Sequence, residues 1–130
     1  MHELTIAKKI LETIELCAQD QGVAHLRLAK LRIGRMLGFE KEHLESALAS
    51  FGNKKELKDL KFEIEAVPVK LRCEKCKKEF VDERFNDASF AHEVSHAPAL
   101  YVPPKCVACS GKEVALVSGN EMELVSVEGD

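Results

Sequence analysis

Residues 70–78 read KLRCEKCKK and residues 103–111 read PPKCVACSG, so Cys73-x-x-Cys76 and Cys106-x-x-Cys109 form two matched pairs among five cysteines in a chain of 130 residues. Two residues between cysteines let a tight turn aim both sulfurs at one point, and two such turns supply the tetrahedral thiolate set that Zn2+ prefers. Lys75, Lys77 and Lys78 lie beside the first pair and Lys105 beside the second. There they offset the double negative charge of four thiolates around a divalent ion. A closed site of this kind leaves no position for water or substrate, so it builds structure and does not catalyse. Two unrelated reduced pairs are a competing reading. A rubredoxin-like iron centre is another, and its colour would reveal it.

Outward from the pairs, residues 70–112 carry four of the five cysteines, three prolines and little periodic apolar pattern. That texture fits a segment in which a metal substitutes for a core. Upstream, Ala7, Ile10, Leu11, Ile14, Cys17 and Ala18 recur at helical spacing with charge between them, and Gly22 marks the end. Cys17 belongs to that apolar stripe as a small core residue. Residues 24–33 (AHLRLAKLRI) alternate as a strand whose phase slips between Leu26, Leu28 and Leu31, Ile33. A bulge near Ala29 and Lys30, or a strand apolar on both faces, accounts for the slip. A second helix follows with Leu44, Ala47, Leu48 and Phe51 as its stripe, ended by Gly52 and Asn53. Phe62, Ile64 and Ala66 then alternate with Glu63 and Glu65 as a strand that Pro68 closes.

Downstream, Val114 to Val117 can close the metal module, Gly119 and Asn120 supply a turn, and Met122, Leu124 and Val127 lie in a final strand. The expected fold is α+β. A body of two helices on a small three-stranded sheet, residues 1–69 and 118–130, carries an inserted zinc-ribbon-like lobe at 70–117.

Composition narrows the function classes. With 45% hydrophobic residues the chain can bury a core of single-domain size. A net charge of -3 and 5% aromatic residues argue against phosphate-neutralising nucleic-acid binding. A zinc-ribbon module for nucleic acid or a protein partner is the alternative reading, and a salt-dependent shift with DNA or RNA would revive it. A metalloenzyme is disfavoured because four cysteines saturate one ion and no separate acid, base and nucleophile cluster is apparent. No apolar run reaches the ~18–20 residues of a bilayer span, so no membrane association is expected and the compartment is the cytosol.

The chain starts Met1-His2-Glu3. A terminal amine, the next backbone amide nitrogen and an imidazole can close adjacent chelate rings in one plane, the geometry that Ni2+ or Cu2+ favours. Methionine excision needs a small second residue, so Met1 is expected to be retained. The positive end of the following helix disfavours imidazolium and keeps His2 a donor. Glu3 fits either as an oxygen ligand or as an acceptor that orients the imidazole. Taken alone, these three residues read first as a frayed terminus with a solvated histidine.

The rest of the chain changes that weighting. MHELTIAKKILETI (1–14), LRIGRMLGFEKEHLESAL (31–48), FEIEAVPVKLRCEKC (62–76), PPKCVACSG (103–111) and SGNEMELVSVE (118–128) together resemble the HypA/HybF hydrogenase nickel-incorporation proteins. The resemblance implies an α+β nickel-binding body with a zinc-ribbon lobe, no turnover of its own, and delivery of Ni2+ as transient cargo to the NiFe hydrogenase large subunit. It also implies the GTPase HypB as partner. Met1, His2 and Glu3 match the nickel motif; Cys73, Cys76, Cys106 and Cys109 match the ligands of a structural Zn2+. The segment from Lys77 to Lys105 looks like the longer archaeal form and contains His92 and His96, four apart, which one helical turn would put on one face. Either an additional nickel ligand or a polar loop face fits them. His25 and His43 read as structural or solvated, and a monomer or weak dimer is expected.

Overall fold

The computed structural model describes residues 3–51 and 59–130. Contacts divide the chain into two compact units, Met1–Arg32 with Phe39–Glu65 and Met122–Asp130, and Ile33–Gly38 with Ala66–Glu121.

In the first unit, α1 (Glu3–Gln21) buries Ile6, Ala7, Ile10, Leu11, Ile14 and Ala18 along one face. Cys17 is half-buried. The stripe packs against α2 (Lys41–Phe51) and against β6 (Met122–Gly129). Leu44, Ala47 and Leu48 answer it from α2, with Leu44 fully buried. Each such aliphatic side chain removed from water contributes about 1.5–3 kcal/mol. The expected contribution of the Phe51 side chain, and the stop at Gly52 and Asn53, lie outside the described residues.

A three-stranded sheet has the order β2-β1-β6, with β1 spanning Leu26–Gly34 and β2 spanning Lys61–Val67. β2 alternates as expected over residues 62–66: Ile64 is buried and Phe62 and Ala66 half-buried while Glu63 and Glu65 are exposed, and Val67, buried as well, breaks that phase at the strand's end. In β1 the phase changes between Leu28, half-buried, and Ala29, fully buried, and then Leu31 and Ile33 keep the new phase. Arg32 reaches across the solvated face to Glu65 at 3.1 Å and Glu123 at 3.5 Å.

The second unit holds a sheet of order β4-β3-β5, with β3 at Lys70–Cys73, β4 at Glu79–Val81 and β5 at Val114–Ser118. β3 pairs antiparallel with both neighbours, Leu71 facing Phe80 on one side and Cys73 facing Val114 on the other. Gly34 and Gly119 belong to this unit and touch closely: a Cβ on Gly34 would stand 1.9 Å from the Gly119 carbonyl oxygen. Gly119 also takes φ 114, a region that side chains rarely adopt.

Between the cysteine pairs the chain builds more core than its texture suggests. Helix α3 (Ala88–His96) starts at Asp87, whose side chain accepts from Ser89 N at 2.9 Å. Val69, Phe85, Ala91 and Val94 form a buried cluster with Met36, Phe90 and Tyr101 against it. A smaller cluster of Leu71, Cys73, Phe80, Cys106 and Val114 lies under the thiolates. No helix among the described residues is long and apolar enough to cross a membrane.

Candidate metal centre

The two Cys-x-x-Cys segments adopt the same turn. Cys73 N donates to Lys78 O at 3.0 Å and Lys77 N to Cys73 O at 2.9 Å; Cys106 N donates to Gly111 O at 2.9 Å and Ser110 N to Cys106 O at 2.9 Å. The left-handed residue falls at the same place in both, Lys77 with φ 65 and Ser110 with φ 60. Amides point at the first sulfur of each pair: Cys76 N stands 3.5 Å from Cys73 Sγ and Ala108 N 3.4 Å from Cys106 Sγ.

These turns bring all four sulfurs within 4.8 Å of one another. Cys73 Sγ is 3.5 Å from Cys109 Sγ, and Cys76 Sγ is 3.5 Å from Cys106 Sγ. A tetrahedron with metal–sulfur bonds of about 2.3 Å has edges of about 3.8 Å. The four cysteines therefore fit a closed tetrahedral thiolate site, and the fit comes from the backbone turns themselves. Cys73 and Cys106 are buried while Cys76 and Cys109 face solvent. Gly111 keeps its place because a Cβ there would meet Cys109 Sγ and Cys73 Sγ, each at 3.3 Å.

The amides also set the acidity of the cluster. Cys109 and Ala108 N–H groups donate to Cys106 and outweigh its desolvation, pulling that thiol down to about 6. Cys73 is lowered too, first by the Cys76 amide. Although the Gly111 amide lowers Cys109, hydrogen bonding with the Cys73 thiol, desolvation and the other two thiols push it up to about 11. Thiols so closely placed cannot all ionise without a cation between them.

The other residues singled out by sequence lie as follows. Glu3 opens α1, is half-buried, and accepts from Glu40 N at 3.3 Å at the start of α2. Met1 and His2 lie outside the described residues. His92 and His96 are exposed on α3 with Nε2 atoms 2.9 Å apart. His25 stands 3.6 Å from Asp59, and His43 Nδ1 stands 3.0 Å from Glu40.

With this geometry in hand, the comparisons with known proteins decide the family. A family model described as "Hydrogenase/urease nickel incorporation, metallochaperone, hypA" matches residues 1–129. The chain belongs to the HypA family. HypA relatives named "Hydrogenase maturation factor HypA" include the protein of Moorella thermoacetica, 27% identical with the whole of both chains covered. The Methanopyrus kandleri protein is 30% identical over 98% of this chain and 92% of its own. The solution structure of the Ni metallochaperone HypA from Helicobacter pylori shares the fold, with a TM-score of 0.64, 24% identity, and coverage of 99% and 97% of the two chains. A second HypA solution structure, 25% identical with a TM-score of 0.63, covers 99% of this chain and 96% of its own. Membership makes this a protein of the nickel-incorporation metallochaperone class used in hydrogenase maturation, with a four-cysteine site compatible with zinc.

One constellation was not foreseen from sequence. Asp82 is 3% exposed and accepts from Arg84 Nε at 2.9 Å, Arg84 Nη2 at 2.8 Å, Arg84 N at 3.2 Å and Tyr101 Oη at 2.7 Å. Burial alone would raise its carboxyl, but the Arg84 and Tyr101 bonds outweigh that and hold it below its ordinary value. Arg84 also donates to Val102 O at 2.9 Å and lies 4.7 Å over the Phe90 ring. The clamp joins residue 82 to residues 101 and 102, and α3 lies on the chain between them.

Proposed function

We propose that this chain binds Ni2+ as transient cargo through Met1, His2 and Glu3, and releases it to the NiFe hydrogenase large subunit with the GTPase HypB as partner. Cys73, Cys76, Cys106 and Cys109 hold one structural Zn2+. The nickel-binding domain comprises residues 1–69 and 118–130, and the zinc-binding domain residues 70–117. The chain works in the cytosol and catalyses no reaction of its own.

One observation carries the reading: a family match running from residue 1 to 129 takes in the Met-His-Glu start together with both cysteine pairs. The chemistry agrees with a division of labour. Four thiolates saturate a tetrahedral ion and release it slowly. An amine, an amide nitrogen and an imidazole suit a square-planar ion, and a chain terminus lets it go. Glu3 supports the terminus from α1, where its carboxylate already engages the Glu40 amide. His92 and His96 offer further imidazole donors for nickel.

Adding one residue ahead of Met1 moves the amine out of chelate register while leaving His2 in place. The expected result is a fall of at least about tenfold in Ni2+ affinity, about 1.4 kcal/mol, with zinc retained. Unchanged affinity would remove the terminal amine from the ligand set.

A further inference from the structure

Asp82 is the one buried charged side chain among the described residues, and neither the thiolate site nor the terminal nickel site uses it. Its place in the fold gives it a different task. β3 and β4 form a ribbon with the thiolates at one end, where Cys73 N donates to Lys78 O at 3.0 Å; at the other end Asp82 N donates to Val69 O at 2.8 Å. Each end has its own core. Leu71, Cys73, Phe80 and Cys106 pack with Val114 beneath the sulfurs. Val69, Phe85, Ala91 and Val94 pack with Met36, Phe90 and Tyr101 around α3. The two clusters share no residue.

The α3 end closes without a metal ligand. Arg84 Nε, Arg84 Nη2 and the Tyr101 hydroxyl meet the Asp82 carboxylate at 2.9, 2.8 and 2.7 Å, and Arg84 Nη2 also reaches Val102 O at 2.9 Å. Residues 82–102 are thereby tied into a loop that lies inside the two knuckles. The Phe85 ring meets Phe90 and Tyr101 edge-on, with centroids 5.0 and 5.4 Å away. Gly38 lies directly on the helix: a Cβ there would stand 2.7 Å from both Ala91 O and Ser95 Oγ. None of these contacts involves a cysteine. A nine-residue helix has little stability of its own, so these contacts hold it, and a buried carboxylate stripped of a partner would undo them.

We propose that the four-cysteine unit carries two latches that open separately. The metal holds the knuckles with β3 and β5, and the Asp82–Arg84–Tyr101 latch holds residues 82–102 folded whether or not the cysteines keep their ion. The exposed face of α3 is then presented unchanged while the thiolate site empties or exchanges its metal. Local opening free energies differ from one cooperative segment to the next, and here the dividing line falls between Val81 and Asp82.

Hydrogen exchange on the full-length reduced chain, zinc-loaded and after chelation, tests the division. The probes are the Cys73, Glu74 and Cys106 amides on the knuckle side and the Ala91 and Ala97 amides on α3, all hydrogen-bonded in the native fold. Chelation should cost the knuckle amides at least about 100-fold in protection and the α3 amides less than about threefold. Tyr101→Phe with zinc bound should reverse the pattern, costing α3 at least about tenfold and the knuckles nothing measurable. Asp82→Asn should act in the same direction as Tyr101→Phe. Knuckles and α3 losing protection together on chelation would overturn the proposal, as would α3 amides unmoved by both replacements or knuckle amides unmoved by chelation.

Discussion

The Tyr101 hydroxyl donates to the buried Asp82 carboxylate at 2.7 Å. The bond joins the end of β4 to the chain beyond α3, so it fastens the long connection between the cysteine pairs without using the metal. Tyr101→Phe keeps the ring against Phe85, whose centroid is 5.4 Å away, and removes only the donor. A loss of about 1.5–3 kcal/mol is expected for a hydrogen bond to a charged group. Chemical denaturation with zinc bound checks it, and a variant as stable as the parent would show that the bond contributes nothing.

Asp82 gives the clamp an acid limit. Its folded carboxyl lies below the ordinary value, so the native state binds that proton less readily than the unfolded chain. The associated stability is complete above about pH 5 and falls away as acid takes the medium through the unfolded value of about 3.9 and below. Asp82→Asn should flatten that limb of the stability curve. An equally steep acid limb in the variant would place the linkage on other carboxylates.

Zinc removal should act locally. On the proposed assignment, chelation would deprive the two knuckles of the Zn2+ that draws Cys73, Cys76, Cys106 and Cys109 together, and the β4-β3-β5 amide resonances should lose dispersion. Because α1 and α2 are packed by aliphatic side chains, most helical circular dichroism should persist. Cys17→Ser should keep the full zinc content, whereas Cys106→Ser should lose it. Zinc lost on Cys17→Ser would contradict the ligand assignment.

Lys77 and Ser110 occupy left-handed backbone positions that cost a side chain on the order of 1 kcal/mol. Ser110→Gly should therefore preserve zinc affinity and leave stability equal or slightly higher. Ser110→Val should do the opposite, because a β-branched residue tolerates that φ worst. Competition with a chromophoric chelator reads both variants, and equal zinc affinity in Gly and Val would mean that the turn does not constrain the thiolates.

Much of this architecture could be read from sequence because the physical signals were local. The α1 stripe, the Phe62–Ala66 alternation and the paired Cys-x-x-Cys spacing each express one period or one turn. The matched fifth-residue carbonyls at Lys78 and Gly111 follow from those same turns. What was missed is non-local. Helix α3 is nine residues long, too short to hold itself. Asp87 caps its start and burial of Ala91 and Val94 holds it in place. Asp82, Arg84 and Tyr101 obey no spacing rule, and the carboxylate is tolerable in the interior only because four bonds surround it. In β1 the direction of the slip was open until Ala29 proved to be the residue that turns inward.

Metal counting tests the central claim most directly. Native mass spectrometry of the wild-type chain and of His2→Ala, each titrated with Ni2+, should show one zinc in both. Tight Ni2+ uptake should occur in the wild type, weakened at least about tenfold in the variant. Nickel bound as tightly without the His2 imidazole, or zinc lost together with it, would contradict the separation of a permanent sulfur site from a releasable nitrogen site.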